Sequence, residues 1–253
     1  MLATKPLVHW VAHRGDCEHH MENTLNSIKA AIANGITHIE IDVQLTKDEL
    51  PVAFHDDDLK RMFAINDALG NTLFSTIKQR PLRIGEHKVM HAAAYYVPTL
   101  LQVVELIKQH PSVTLYVEVK NINFTYFSYQ HVYHTLMLCL QPILPQVVFI
   151  GFSYRFLRYV KCFSHLPIAY VLPSWQHYSA KMLANLQPDI IFTNHNLIPE
   201  HETFHTKKET WVVYEVSTVD QAKELLKKGI HTFESANVIT LNVIPPLYCT
   251  QHS

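Results

Sequence analysis

Polar and apolar positions alternate most regularly between Thr37 and Asp58, THIEIDVQLTKDELPVAFHDDD. His38, Glu40 and Asp42 fall on one side of this stretch, and Ile39, Ile41 and Val43 on the other. Successive side chains of a strand point to opposite faces, so the pattern predicts a strand with one polar and one aliphatic face. The same period of two returns from Val113 to Lys120. There Val113, Leu115, Val117 and Val119 alternate with Thr114, Tyr116, Glu118 and Lys120. Shorter apolar runs predict strands at Leu7–Ala12, Pro51–His55, Val147–Ile150, Ile168–Leu172, Ile190–Thr193, Trp211–Val216 and His231–Phe233. Helical spacing links them. Leu25, Ile28, Ala31 and Ile32 form one stripe, opened by Asn23 or Thr24 as cap and stopped at Asn34-Gly35. A second helix starts at Pro98-Thr99-Leu100. Others are expected at His131–Leu140, Tyr154–Phe163, Ser179–Leu186 and Val219–Lys228, with a partial helix within Glu200–Thr210.

Strands alternating with helices predict an α/β fold with a parallel sheet. Nine strand candidates fit an eight-stranded barrel plus one hairpin arm at 51–55. No Gly-rich dinucleotide fingerprint or phosphate loop supports a doubly wound sheet. The expected architecture is therefore a (β/α)8 TIM barrel. Residues 57–97, broken by Gly70-Asn71, Pro81 and Gly85, form a small insertion after the second-strand hairpin. No low-complexity linker divides the chain, so residues 1–253 are expected to form a single domain.

Composition narrows the function classes. With 21 basic and 22 acidic residues the formal charge is −1, too little to draw in nucleic acid or an anionic membrane over distance. Cys17, Cys139, Cys162 and Cys249 are scattered without zinc or disulfide spacing, and the expected setting is reducing and cytoplasmic. The N-terminal apolar run reads as a first strand rather than a signal segment, and no run is long enough to span a bilayer. Oligomeric state is not encoded in any of these features.

The candidate chemistry lies at strand ends. Acids are almost never fully buried without a partner, so Glu40 and Asp42 need a metal ion or a basic side chain. Glu118, on an independent strand of the same pattern, adds a third oxygen donor and favours a hard divalent cation, Mg²⁺ or Ca²⁺. Arg14 and Lys120 supply fixed positive charge suited to phosphate. His13 and His55 then remain as a proton-transfer pair, which phosphodiester cleavage requires. In a barrel of this kind His13, Arg14, Glu40, Asp42, Glu118 and Lys120 would all fall on the C-terminal rim, where active sites lie. His19 and His20 read as exposed loop residues, and the aromatics Phe124, Tyr126, Phe127 and Tyr129 as packing. Cys17 lacks an activating partner that would make it a nucleophile.

Seven short motifs carry a resemblance. HRG at 13–15, ENT at 22–24, E-x-D at 40–42, T-K-D at 46–48, HDDDLKR at 55–61, PTL at 98–100 and E-x-K at 118–120 resemble, in order and spacing, the glycerophosphodiester phosphodiesterase family. The resemblance implies that Glu40, Asp42 and Glu118 bind one divalent metal and that His13 and His55 are the acid–base pair. It implies that Arg14 and Lys120 hold the phosphate, with Glu22 supporting them. Glu22 is equally suited to be an acid favoured at a helix start. The implied reaction is hydrolysis of glycerophosphodiesters to sn-glycerol 3-phosphate and an alcohol. The nucleophile would be water, or the substrate's own glycerol hydroxyl through a cyclic phosphate. Two alternatives stand beside it: a lysophospholipase D-type activity on lysophospholipids, and a non-catalytic barrel that binds a phosphorylated ligand. The family pattern is broken at Met21, where proline is usual. It is broken again at Tyr214-Glu215 and at Phe233-Glu234-Ser235-Ala236, where Trp-Thr and a Thr-Asp-x-Pro-like turn are usual. These departures concern contacts to the alcohol end of the substrate.

Overall fold

The computed structural model describes residues 8–83 and 94–242. Leu7, Gly85 and Cys249 lie outside the described residues. Among the described residues nine strands form one sheet: β1 His9–His13, β2 His38–Leu45, β3 Pro51–Ala53, β4 Thr114–Val119, β5 Val147–Gly151, β6 Ile168–Val171, β7 Ile190–Asn194, β8 Thr210–Tyr214 and β9 Thr232–Ser235. Their order is β1-β9-β8-β7-β6-β5-β4-β2-β3, and an added β1–β2 pairing closes eight parallel strands into a ring. The closed barrel is the expected (β/α)8 architecture. β3 stands outside the ring as an arm antiparallel to β2, with Val43 opposite Ala53. It ends at Ala53 rather than His55, and Phe54 N–H donates to the Asp42 carbonyl as the chain leaves the pair.

Sequence period decides which residues go inside. Val11, Tyr116, Val148, Ile150, Ala169, Val171, Phe192 and Val212 pack together in one cluster from six of the eight ring strands. Their outward neighbours, Ile39, Ile41, Val43, Leu115, Val117 and Phe149 among them, are fully buried against the helices. Side chains thus fill the barrel, as small barrels require. Apolar filling gives way to carboxylates, histidines and cations at the C-terminal end, where the site forms.

The helices begin where small polar residues can cap them. Thr24 accepts a hydrogen bond from Ser27 N–H and starts Leu25–Ala33, and Thr99 does the same for Leu100–Ile107. Helices at Tyr129–Leu140, Tyr154–Phe163, Ala180–Leu186 and Val219–Lys227 follow the expected stripes. The stretch Glu200–Thr210 contains turns and no helix. Phe204 there is buried in an aromatic group with Trp175 and Trp211, so tertiary packing fixes a segment with no helical stripe. The described part of the 57–97 insertion carries three short helical turns, Lys60–Phe63, Leu69–Asn71 and Phe74–Ile77, over its own core of Phe54, Leu59, Met62, Leu69 and Ile77.

Candidate active site

A cavity of about 240 Å³ opens at the C-terminal end of the barrel. Its polar wall is lined by His13, Arg14, Asp42, His55, Glu118 and Lys120, and Glu40 lies buried beside them. Glu22 stands behind, in contact with Arg14. The structure thus gathers all eight residues singled out in the sequence at one barrel mouth.

The three carboxylates of Glu40, Asp42 and Glu118 bring one oxygen each within 4.8 Å of one another. Glu40 is 2% exposed and Asp42 1%. Burial, with Asp42, Glu234 and Glu118 nearby, pushes the Glu40 carboxyl well above the usual range. Burial and Asp42 raise Glu118 as well. Burial would also raise Asp42, but Arg14 and Lys120 outweigh it and hold this carboxyl at about 2. Glu40 Oε1 has no hydrogen-bond partner. A buried carboxylate oxygen without a partner costs about 1–3 kcal/mol or more, and a cation between these oxygens would remove that cost. The donor set fits a hard divalent ion.

Arg14 and Lys120 are tied to the acids. Arg14 Nε lies 2.9 Å from Asp42, and its Nη1 donates to Glu22 at 3.0 Å. Lys120 Nζ lies 3.2 Å from Asp42 and 2.9 Å from Glu118. Burial opposes the charge on both cations, and the surrounding carboxylates raise their pKa values regardless. Arg14 also adopts a left-handed φ of 60°, and Gly15 follows at 81°. This bend aims the Arg14 backbone N–H at Glu40 Oε2, 3.1 Å away. A Cβ on Gly15 would lie 2.6 Å from the Ser27 carbonyl carbon, so only glycine lets the first helix sit this close.

The two histidines differ. Burial, then Arg14, lowers the His13 pKa to about 4. His55 Nδ1 lies 2.9 Å from Asp56 Oδ1, and Arg61 grips Asp56 with Nε and Nη2, both at 2.7 Å. Arg61 also reaches Glu22, at 2.7 and 3.2 Å. Charge pairs therefore run unbroken from His55 through Asp56, Arg61, Glu22 and Arg14 to Asp42.

Four residues beyond the sequence expectation hold this arrangement. Asn23, in a left-handed conformation, donates Nδ2 to Asp42 Oδ2 at 2.9 Å and accepts the Asp42 backbone N–H at 3.0 Å. It is thus a clamp on Asp42, and the helix cap is Thr24. Gln44 Nε2 donates to the carbonyls of Phe54, His55 and Asp56 at 2.8–3.1 Å, fixing the segment that carries His55. Asn123 joins β2 to the end of β4, donating to Val43 and Lys120 carbonyls. Arg61 was part of a motif without a role. Amides inside an alternating strand or after a loop give no periodic signal, so Gln44 and Asn123 were not visible in the pattern.

The remaining expectations divide. His19 and His20 are partly buried, His19 against Asp16 and His20 against Tyr95, and neither lines the cavity. Phe124 packs on Tyr129 and Phe156, Phe127 stacks on His131, and Tyr126 covers Gly70, as packing requires. The Cys17 thiol is buried and donates to the His13 carbonyl. Phe152, Phe192, Asn194, Tyr214, Glu215 and Glu234 complete the cavity lining.

Comparison with known proteins points to one family. The family model described as the glycerophosphoryl diester phosphodiesterase family matches residues 13–235. Mouse glycerophosphodiester phosphodiesterase 1 is 26% identical over 157 residues, covering 59% of this chain and 46% of that protein. A glycerophosphodiester phosphodiesterase of Bacillus altitudinis is 30% identical over 115 residues, covering 46% of each. The match therefore spans less than half the length of these relatives. Among solved structures, an Oleispira antarctica phosphodiesterase in complex with the product sn-glycerol-3-phosphate superposes with a TM-score of 0.79 at 24% identity. It covers 93% of this chain and 96% of that one. The motifs at the barrel mouth and the family match share one span from His13 to Ser235, and the chain belongs to the glycerophosphoryl diester phosphodiesterase family.

Proposed function

We propose that the chain is a divalent-metal-dependent phosphodiesterase that cleaves glycerophosphodiesters to sn-glycerol 3-phosphate and an alcohol. The observation that carries this is the convergence of His13, His55, Arg14, Lys120 and the three carboxylates Glu40, Asp42 and Glu118 on one small cavity. Glu40, Asp42 and Glu118 would hold one Mg²⁺ or Ca²⁺, which when bound supplies Lewis-acid stabilisation of charge on the phosphoryl oxygens. Arg14 and Lys120 bind the phosphate and concentrate positive charge where negative charge develops. Glu22 keeps Arg14 directed into the site through the 3.0 Å contact.

The histidines divide the proton work. His13, with its pKa lowered to about 4, is neutral at pH 7 and suited to take a proton from the nucleophile. His55 is held at Nδ1 by Asp56, which fixes the orientation of its ring. Its Nε2 is then the atom that protonates the departing alkoxide. A pure phosphate binder needs no such pair, which disfavours the non-catalytic alternative. The cavity volume of about 240 Å³ suits a deacylated diester. Phe124, Tyr126, Phe127 and Tyr129 do not line it, so these four residues lend no support to the lysophospholipase D-type reading.

Product analysis tests the bond that breaks. Glycerophosphocholine should yield glycerol 3-phosphate and choline, and a lysophospholipid should turn over more slowly. Release of phosphocholine and glycerol would place cleavage on the other ester bond and reject the proposal.

A further inference from the structure

Acidic residues are spread unevenly around the barrel. The chain holds 22 of them, yet none falls between Glu118 and Asp189. That span builds β5, β6 and the helices Tyr129–Leu140, Tyr154–Phe163 and Ala180–Leu186. One side of the outer wall is therefore basic, although the formal charge of the whole chain is −1. Lys161 on this side pairs with Asp189 at 3.0 Å. Arg155, Arg158 and Lys181 are exposed, and among the described residues none of them takes part in an ion pair.

Helical period decides what this wall shows to solvent. In Tyr154–Phe163 the buried set is Phe156, Leu157 and Val160. Arg155, Arg158 and Cys162 fall on the exposed stripe, and Phe163 ends the helix 62% exposed. The Phe163 ring is held in place. It stacks on Tyr159 at 4.4 Å, and the Phe163 carbonyl accepts from the Tyr133 hydroxyl at 3.1 Å. Tyr133 also meets Tyr159 at 5.6 Å and so joins the neighbouring helix, Tyr129–Leu140, to this one. The last turn of that neighbour presents Leu138, 80% exposed. Single apolar side chains scattered on a surface need no explanation. Two at the same ends of adjacent helices, on a wall with arginines and no acid, call for a partner that is both anionic and apolar.

We propose that the outer wall formed by the helices Tyr129–Leu140 and Tyr154–Phe163 docks on an anionic lipid bilayer. Arg155 and Arg158 meet the headgroup phosphates, and Leu138 and Phe163 enter the apolar boundary beneath them. A second copy of this chain fits less well. A two-fold contact sets the patch against itself, with four arginines facing one another and no carboxylate between them. The attraction acts at short range, because the net charge supplies no pull beyond a Debye length of about 8 Å. Helices of such a barrel run along the outside of the strands, so a bilayer against them leaves the mouth open to water.

Co-sedimentation with vesicles tests the surface without reference to catalysis. One set is phosphatidylcholine alone, and in the other about a third of the lipid is phosphatidylserine. Wild type should bind the phosphatidylserine vesicles at least about tenfold more tightly, and added salt should weaken that binding. Arg155→Gln with Arg158→Gln should lower it about tenfold or more, at about fivefold per cation. Leu138→Ser with Phe163→Ser should lower it about tenfold and keep the salt dependence. Lys29→Gln with Lys223→Gln, two exposed cations outside this wall, should leave it unchanged. If the serine pair fails to fold, the arginine pair decides, since both positions face solvent. No preference for phosphatidylserine, or an equal loss in the Lys29 and Lys223 pair, overturns the proposal. So does self-association in sedimentation velocity without vesicle binding, which would assign the wall to a second copy. Retention on heparin without vesicle binding would assign it to an acidic macromolecule and overturn it as well.

Discussion

Asp42 shows how much of the site depends on single side chains. It is the one carboxylate of the three held well below its usual range, and Asn23, Arg14 and Lys120 all reach it. Asn23→Ala removes the buried acceptor of the Asp42 backbone N–H. The expected cost is about 1–3 kcal/mol in stability by denaturant titration. Metal affinity should fall about 10–100-fold, because the ligand loses its orientation. The histidines are tested by His13→Ala and His55→Ala, each expected to keep the fold by circular dichroism and to lose about 10²–10⁴-fold in kcat. Asp56→Asn should act through His55, freeing the ring that Nδ1 anchors and lowering kcat more than it changes KM. The proposed proton-transfer residues were legible in the sequence because HRG and HDDDLKR place them beside other motifs. Asn23 was legible only as a cap, since an Asn before Thr-Leu fits both uses.

At the level of elements, β2 organises the mouth. Its inward face carries Glu40, Asp42 and Gln44, and its outward face packs on the helices. Alternation in the sequence made the two acids visible, and the matching pattern in β4 added Glu118 and Lys120. Direction of the loops was not legible in the same way. β3 was expected to run to His55, but the chain leaves the ladder after Ala53 because Gln44 captures three successive carbonyls. The β8 end was likewise read as strand to Val216, while Glu215 turns left-handed into the cavity. Periodicity reports faces, not the single backbone angle that ends a strand. The bend after β1 is the most demanding of these. Gly15→Ala forces a Cβ against the Ser27 backbone at a positive φ and should cost about 1–3 kcal/mol. It should also displace Arg14, so activity falls at temperatures where the variant is still folded.

Across the whole molecule, closing eight strands gathers four acids, Glu40, Asp42, Glu118 and Glu234, into one barrel mouth. The barrel, its order of elements and the insertion were legible from alternation and from the absence of competing fingerprints. The fourth acid was visible only as a departure from the family pattern, because ring closure, not a local period, brings β9 beside β1 and β2. Burial and mutual repulsion raise Glu40 and Glu118 in the folded state. The unfolded chain then binds fewer protons than the folded one above the usual glutamate range, so this part of the stability is present at low pH and lost as pH rises through the folded values. A divalent cation held by these acids would replace those protons. The Tm gained on adding Mg²⁺ or Ca²⁺ should therefore be larger at pH 8 than at pH 5, and Glu40→Gln should reduce that gain.

Release of glycerol 3-phosphate from glycerophosphocholine tests the central claim most directly. It is measured with Mg²⁺ or Ca²⁺ and with excess chelator, for the wild type and for His13→Ala. Turnover that requires the cation and disappears in His13→Ala is the expected result. Undiminished turnover in chelator, full activity of His13→Ala, or no turnover of any glycerophosphodiester with either cation would contradict it.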